Sequence, residues 1–376
     1  MGKTTIHQLH DYGQSIWLDY ISRPMIISGK LNDWIDKGIC GVTSNPAIFN
    51  QAISKSDAYD EKISELKSEG KSLFEIYDAL TIADIQNAAD AFLKVYETTD
   101  GVDGYVSLEI NPLLANKIEE QVKEGMRLFR TLNRSNVMIK VPATKEGLVV
   151  IERLTAAGVN VNATLIFSCQ QYIDTANAYI RGLKTLAETG HDLSKIRSVA
   201  SVFVSRIDSV VDQLIDSKIL KDSDKNEVLA KMKGKAAISN CRIIFEQSKA
   251  IFSSDRFNLL KEKNANIQRV LWASTSTKNP EYSDIKYITE LVANNTVNTV
   301  PEKTLNAFLD HGRPEETGFT VSVEEAEQII SSLKLFDIDL DAICMDLLVK
   351  GVEAFDVAFK SLLASIESKT ISCCPM

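Results

Sequence analysis

Apolar residues fall along the chain in two alternating rhythms. Short continuous apolar runs recur as SIWLDYIS (15–22), GVTSNP (41–46), YVSLEI (105–110) and VMIKVP (137–142), then VNATLIF (161–167), SVASVFV (198–204), RVLWAST (269–275) and TVNTVP (296–301). Between them apolar positions repeat at helical spacing. After Ser168, a helix N-cap, Tyr172, Ile173, Ala176, Tyr179, Ile180 and Leu183 form one face. Strands alternating with helices predict parallel β structure with crossover helices, and eight such units close a (β/α)8 TIM barrel. A doubly wound open sheet is the alternative. It usually carries a Gly-rich first turn, and no G-x-G-x-x-G is present.

Beyond the eighth unit the pattern is helical. Ser322 and Glu325 read as a capping box, and from Asp339 a long helix is expected to bury Leu340, Ile343, Leu347, Phe355, Phe359, Leu362 and Ile366. The 376 residues exceed the ~150 of an average domain. Barrels run long as one unit, however, so a single domain over 1–376 is expected: barrel at 10–312, packed helices at 313–370, and a disordered tail at 371–376. The charged stretch 207–262 is long for one crossover and predicts an extended or inserted helix.

Composition narrows the class. The net charge of −9 disfavours nucleic acid as a partner. No apolar run approaches the ~20 residues of a membrane span, and MGKTTIHQLHDYGQSIW has no secretory h-region, so a cytoplasmic protein without membrane partners is expected. Ile6 stands where N-myristoylation needs Ser or Thr, and the CCPM end lacks an upstream polybasic run. Six cysteines without a C-x-x-C pair read as reduced, mostly buried small hydrophobes. His7 and His10 have no further ligand nearby, so a solvated first turn is expected there rather than a metal site. Gly70-Lys71-Ser72 lacks the leading glycine of a P-loop, because Glu65 stands in its place.

Barrel strands end in the residues that build a site. Here every run carries late polar groups: Asp19; Thr43 and Asn45; Glu109 and Asn111; Lys140; Asn162 and Thr164; Ser201 and Arg206; Ser274 and Ser276; Asn298. Singly, each has a plain structural reading, since Asn45-Pro46 is a turn signal and Asn298 a helix cap. Lys140 is the most informative. It is the one charge in the strand VMIKVP, and a desolvated lysine provides the amine that attacks a carbonyl to form a Schiff base. The competing reading is a structural lysine paired with Asp19 or Glu109. Lys145, which opens the next helix, is expected to be exposed.

Iminium chemistry also needs a carboxylate to move protons (Asp19 or Glu109) and amides and hydroxyls to orient a polyol (Asn45, Asn162, Thr164, Ser201). A substrate phosphate would be held by Arg206 and by the segment Ala273–Asn279 at a helix N-terminus. Metal-dependent aldol chemistry would want clustered histidines, which the sequence does not offer, so no metal is expected.

WLDYISR, GVTSNPAIF, VSLEINP, VMIKVPAT, VNVNATLIFS, SVASVFVSRID, LWASTSTKNP and NTVNTVPEKTLNAF, in this order over 6–312, resemble the transaldolase family in its longer form. The resemblance implies an enzyme without metal or organic cofactor. It would move a dihydroxyacetone unit from sedoheptulose 7-phosphate to glyceraldehyde 3-phosphate, giving erythrose 4-phosphate and fructose 6-phosphate, in the non-oxidative pentose phosphate pathway. It further implies Lys140 as the Schiff-base residue, Asp19 as acid/base at the C4 hydroxyl, and Glu109 with Thr164 acting on water. Asn45, Asn162 and Ser201 would then hold hydroxyls, Arg206 with Ser274, Ser276 and Lys278 the phosphate, and two copies would pair as a homodimer. Lys278 departs from the shorter members, which have an arginine in that loop. The similar fructose-6-phosphate aldolases have a Tyr and a Gln where this chain has Phe203 and Glu109. Phe203 therefore favours transfer over free aldol cleavage. A fructose-6-phosphate aldolase-like enzyme and a non-catalytic sugar-phosphate binding barrel are the alternatives.

Overall fold

Every strand residue in the barrel is buried, which is why the strands appear in sequence as continuous apolar runs rather than as alternations. In the computed structural model, which describes residues 2–219, 226–316 and 318–372, eight parallel strands close on themselves in chain order. They are β1 (Gln14–Leu18), β2 (Gly41–Thr43), β3 (Tyr105–Glu109), β4 (Val137–Pro142), β5 (Val161–Ile166), β6 (Ser198–Phe203), β7 (Gln268–Ala273) and β8 (Thr296–Val300). Helices alternate with the strands, so the fold is the expected (β/α)8 barrel with a C-terminal helical extension.

Strand ends are trimmed relative to the sequence pattern for identifiable reasons. β1 stops at Leu18 because Ser22 already caps the helix Arg23–Ile27. β2 is three residues long because Asn45 caps Pro46–Ser54, with Pro46 at its first position. Ser168 does cap Cys169–Glu188, in a full capping box with Gln171. At Ser322 only half of the box forms: its hydroxyl accepts from the Glu325 amide. The stretch 207–262 holds inserted helices, the second of the two expected possibilities, rather than one extended helix. Its described residues form Ser205–Ile219, Asn226–Ala230, Ala236–Phe252 and Asp255–Lys261.

Residues 313–370 hold the helices Val323–Leu335 and Leu340–Ser372. Asp339 caps the latter by accepting from the Asp341 and Ala342 amides. This C-terminal helix runs across the barrel mouth, packing Phe359 edge-on against Tyr77 at 5.0 Å and joining Asn50 through Ser361 and Ser365. The expected tail at 371–376 is corrected in part, because 371 and 372 continue the helix; 373–376, including Cys373 and Cys374, lie outside the described residues. Cys40, Cys241 and Cys344 are buried and unpaired. His7 and His10 are half-buried rather than solvated, because His7 folds back on the Thr4 cap and His10 packs near the Cys40 thiol. Among the described residues no group of three or more His, Cys, Asp or Glu is arranged to hold a metal, and no helix is long and apolar enough to cross a membrane.

The N-terminal end of the barrel is plugged by one ionic cluster. Arg269 pairs with Asp103 at 3.1 Å and donates to the Thr296 carbonyl at 2.7 Å and to the Ser15 hydroxyl. Ser15 in turn donates to Asp103 at 2.7 Å. Arg269 and Asp103 are both buried, so removing one partner strands the other's charge. Asp103→Ala should therefore cost about 3–5 kcal/mol in urea unfolding. A loss below ~1 kcal/mol, the size of an exposed pair, would show that the cluster does not hold the barrel floor together.

Candidate active site

At the opposite, C-terminal rim, three neighbouring strands place Glu109, Lys140 and Asn162 side by side, as register partners across β3, β4 and β5. Lys140 Nζ lies 3.1 Å from Glu109 Oε2 and donates to the Ser44 carbonyl at 3.0 Å. Both side chains are almost fully enclosed, at 6% and 4% exposure, which makes this a desolvated pair rather than a surface one. Burial raises the Glu109 carboxyl above its ordinary range, opposed by the Lys140 charge. Lys145, by contrast, is exposed in the first turn of Lys145–Ala156.

Lys140 opens into a cavity of about 210 Å³, and ten of the twelve site residues expected from sequence line it: Asp19, Asn45, Lys140, Thr164, Ser201, Phe203, Arg206, Ser274, Ser276 and Lys278. Burial also raises the Asp19 carboxyl, opposed by a 2.8 Å hydrogen bond from Thr43 and by the charges of Lys140 and Lys278. Asn45 is both cap and lining residue: its Oδ1 accepts from the Ile48 amide. Glu109 faces an adjoining pocket of about 10 Å³, the size of one water. Its Oε1 and the Thr164 hydroxyl have no hydrogen-bond partner in the protein.

Asn162 sits beneath the cavity rather than in its lining. Its amide donates to Ser107 Oγ at 3.1 Å, and its Oδ1 accepts from Ser201 Oγ at 2.7 Å. Asn298 is likewise buried outside the cavity, donating to the Tyr287 carbonyl. The eighth strand contributes Thr299 instead, whose hydroxyl shares a 2.6 Å hydrogen bond with Thr43.

The cationic side lies across the cavity. Arg206 stands in the first turn of Ser205–Ile219, half-buried against the Phe203 ring at 5.4 Å, with no salt bridge to a carboxylate among the described residues. Burial lowers its pKa. Lys278 bonds to Ser276 Oγ at 2.6 Å. One expectation is corrected. The Ser274–Asn279 segment opens no helix, the next being Lys286–Thr289, so the helix N-terminus beside the cations is that of Ser205–Ile219. Ser274 adopts φ +57°, a strained conformation for a non-glycine residue, while hydrogen-bonding Ser205 through backbone and hydroxyl.

Sequence reasoning missed Thr299 and Phe355. Phe355 reaches the cavity from the C-terminal helix, its ring centroid 5.9 Å from Lys140 Nζ. No strand-end signal marks a residue that arrives from outside the barrel.

A closed barrel whose C-terminal mouth gathers a buried amine, two carboxylates and two further cationic side chains defines an enzyme-type (β/α)8 barrel. The comparisons agree. The family model "Transaldolase/Fructose-6-phosphate aldolase" matches residues 16–366. Among similar proteins are a "Transaldolase" of Trichodesmium erythraeum, 45% identical over 98% of both chains, and a "Transaldolase 2" of Nostoc punctiforme, 44% identical over 98% of both. A "Transaldolase" of Saccharopolyspora erythraea is 43% identical over 97% of this chain and 98% of its own. The chain belongs to the transaldolase/fructose-6-phosphate aldolase family.

Behind the cationic rim two buried carboxylates tie the Arg206 helix to the segment following Lys278. Asp208 accepts from the Tyr287 hydroxyl and the Ala237 amide, and Asp212 from the Tyr282 hydroxyl and the Gly234 amide. Burial raises the Asp208 carboxyl to about 6. Because this value lies above the unfolded one, the folded state holds the proton more tightly. The stabilisation is complete below about pH 4 and is lost as pH rises through about 6. Relative to Asp208→Asn, the unaltered protein should lose up to about 3 kcal/mol between pH 4 and 7, read from urea unfolding at both. Parallel pH profiles for the two proteins would contradict this.

Proposed function

We propose that this chain is a transaldolase working through a Schiff base on Lys140, in the non-oxidative pentose phosphate pathway. The observation that carries the reading is the buried Lys140–Glu109 pair beside a cavity that also holds Arg206, which has no carboxylate partner among the described residues. A half-buried guanidinium lacking an acidic partner favours an anionic ligand, and a phosphate meets both Arg206 and the helix terminus beside it.

In this reading the Lys140 amine attacks C2 of a ketose phosphate and water leaves, giving an iminium. Glu109, 3.1 Å from Nζ, takes and returns the protons of that exchange, with Thr164 as partner for the departing water. Asp19 then removes the proton of the C4 hydroxyl. The C3–C4 bond breaks, its electron pair enters the iminium, and an enamine of dihydroxyacetone stays on Lys140 while the aldose phosphate departs. A raised carboxyl suits Asp19 to both directions of this transfer. An incoming aldose phosphate reverses the steps. Asn45 and Ser201 orient hydroxyls, and Asn162, with both polar ends engaged, fixes the Ser201 rotamer. Ser274, Ser276 and Lys278 complete the phosphate site. Phe203 offers no phenol to direct water, which favours transfer over free aldol cleavage.

The same reading takes the chain as a cytoplasmic homodimer without metal, organic cofactor or nucleic-acid partner. The family resemblance supports the dimer and the net charge of −9 the lack of nucleic acid.

Borohydride added with fructose 6-phosphate should tag the peptide containing Lys140, and Lys140→Met should abolish the tag. Labelling at Lys145, or none, would refute the assignment. Arg206→Ala should raise KM for phosphorylated donors on the order of a hundredfold, the loss of roughly 2–3 kcal/mol from a charge-assisted contact, while leaving unphosphorylated dihydroxyacetone donors nearly unchanged. An equal effect on both would make Arg206 structural.

A further inference from the structure

The C-terminal helix is the one element at the cavity that does not come from a barrel strand or its loop, and it comes very close. Gly351 faces Leu165, where an added Cβ would lie 3.0 Å from Leu165 Cδ2, so a larger residue would push the leucine aside by a few tenths of an ångström. Leu165 is itself strained, at φ +60° within the irregularity of β5, and with Phe355 and Val352 it walls the small pocket on Glu109. Phe355 belongs to both spaces, lining the Lys140 cavity and the Glu109 pocket alike. With its centroid 5.9 Å from Nζ, the ring comes within contact range of a carbon bonded to that nitrogen on the ring's side.

We propose that Phe355 is a specificity-determining residue: its ring covers the carbon attached to Lys140, keeps bulk water from it, and so makes the bound three-carbon unit wait for an aldehyde acceptor. The inference rests on the Schiff-base reading above. The side reaction it suppresses is hydrolysis. The enamine takes a proton at C3 to become an iminium; water adds to C2, losing one proton to solvent; the hydroxyl's remaining proton passes to Nζ as the C2–N electron pair returns to it, freeing dihydroxyacetone and the amine. Each turn of that cycle needs a water at C2, on the face the ring occupies. The pocket of about 10 Å³ beside Glu109 admits about one water, held where the carboxylate controls it. A phenyl ring is also an acceptable neighbour for an iminium cation, so apolar cover here does not oppose the charge.

The test measures, in the full-length protein, dihydroxyacetone released from fructose 6-phosphate alone against transfer to erythrose 4-phosphate. Phe355→Ala should raise the release-to-transfer ratio about tenfold while borohydride still tags Lys140. Phe355→Leu keeps the helix packed but uncovers part of the ring's area; it should raise the ratio about threefold and decides the matter if the alanine variant does not fold. Val357→Ala, exposed on the same helix, should leave the ratio unchanged. A ratio that stays within about twofold of the unaltered protein, with tagging intact, would overturn the proposal and leave Phe355 a packing residue. Failure of the unaltered protein to tag at Lys140 would instead sink the Schiff-base reading itself.

Discussion

Taking an ammonium and a carboxylate out of water is expensive, and the Lys140–Glu109 pair is almost wholly enclosed. Such a pair is held only by a framework that over-determines it. Here the framework is the register that makes Glu109 and Lys140 direct neighbours on β3 and β4, the Ser44 carbonyl that takes a second Lys140 hydrogen bond, and the apolar walls from the C-terminal helix. The closed barrel supplies the rigidity. Its floor is tied together by the Arg269 cluster.

Charge is sorted across the cavity. Carboxylates raised by burial, Asp19 and Glu109, line the amine's side, while Arg206 stands near a helix N-terminus and Lys278 lies close enough to act on Asp19. Under the proposed mechanism, a ketose phosphate would lie between the two groups with its carbonyl end at Lys140 and its phosphate at Arg206. The buried Asp208 and Asp212 keep that second group in place by fastening the Arg206 helix to the residues after Lys278.

Much of this was legible in the sequence, and the reasons are physical. Strands buried on both faces leave continuous apolar runs, so all eight were visible; a lysine alone in such a run is conspicuous because burial without a partner is costly. Less legible was what depends on approach from elsewhere. Phe355 follows ordinary helical spacing and looks like core until the helix is laid across the mouth. Asn298 and Thr299 are adjacent polar residues on one strand, and alternation, which one run cannot phase, decides that Thr299 faces the cavity. Ser274–Asn279 has the composition of a helix N-terminus but runs as an irregular loop, because Ser274 takes a left-handed conformation and binds back to Ser205.

The proposed mechanism requires one covalent geometry: a ketose phosphate joined to Lys140 with its phosphate reaching Arg206. The most direct measurement is a crystal structure of the protein soaked with fructose 6-phosphate and trapped by borohydride. Continuous density from Lys140 Nζ to the substrate's C2 is expected, with the Asp19 carboxylate at the site of C4 proton transfer and Phe355 over the linkage. Crystals soaked without reductant should show the phosphate between Arg206 and Lys278. Density that leaves Lys140 unmodified and still paired with Glu109, or a phosphate bound away from Arg206, would contradict the account.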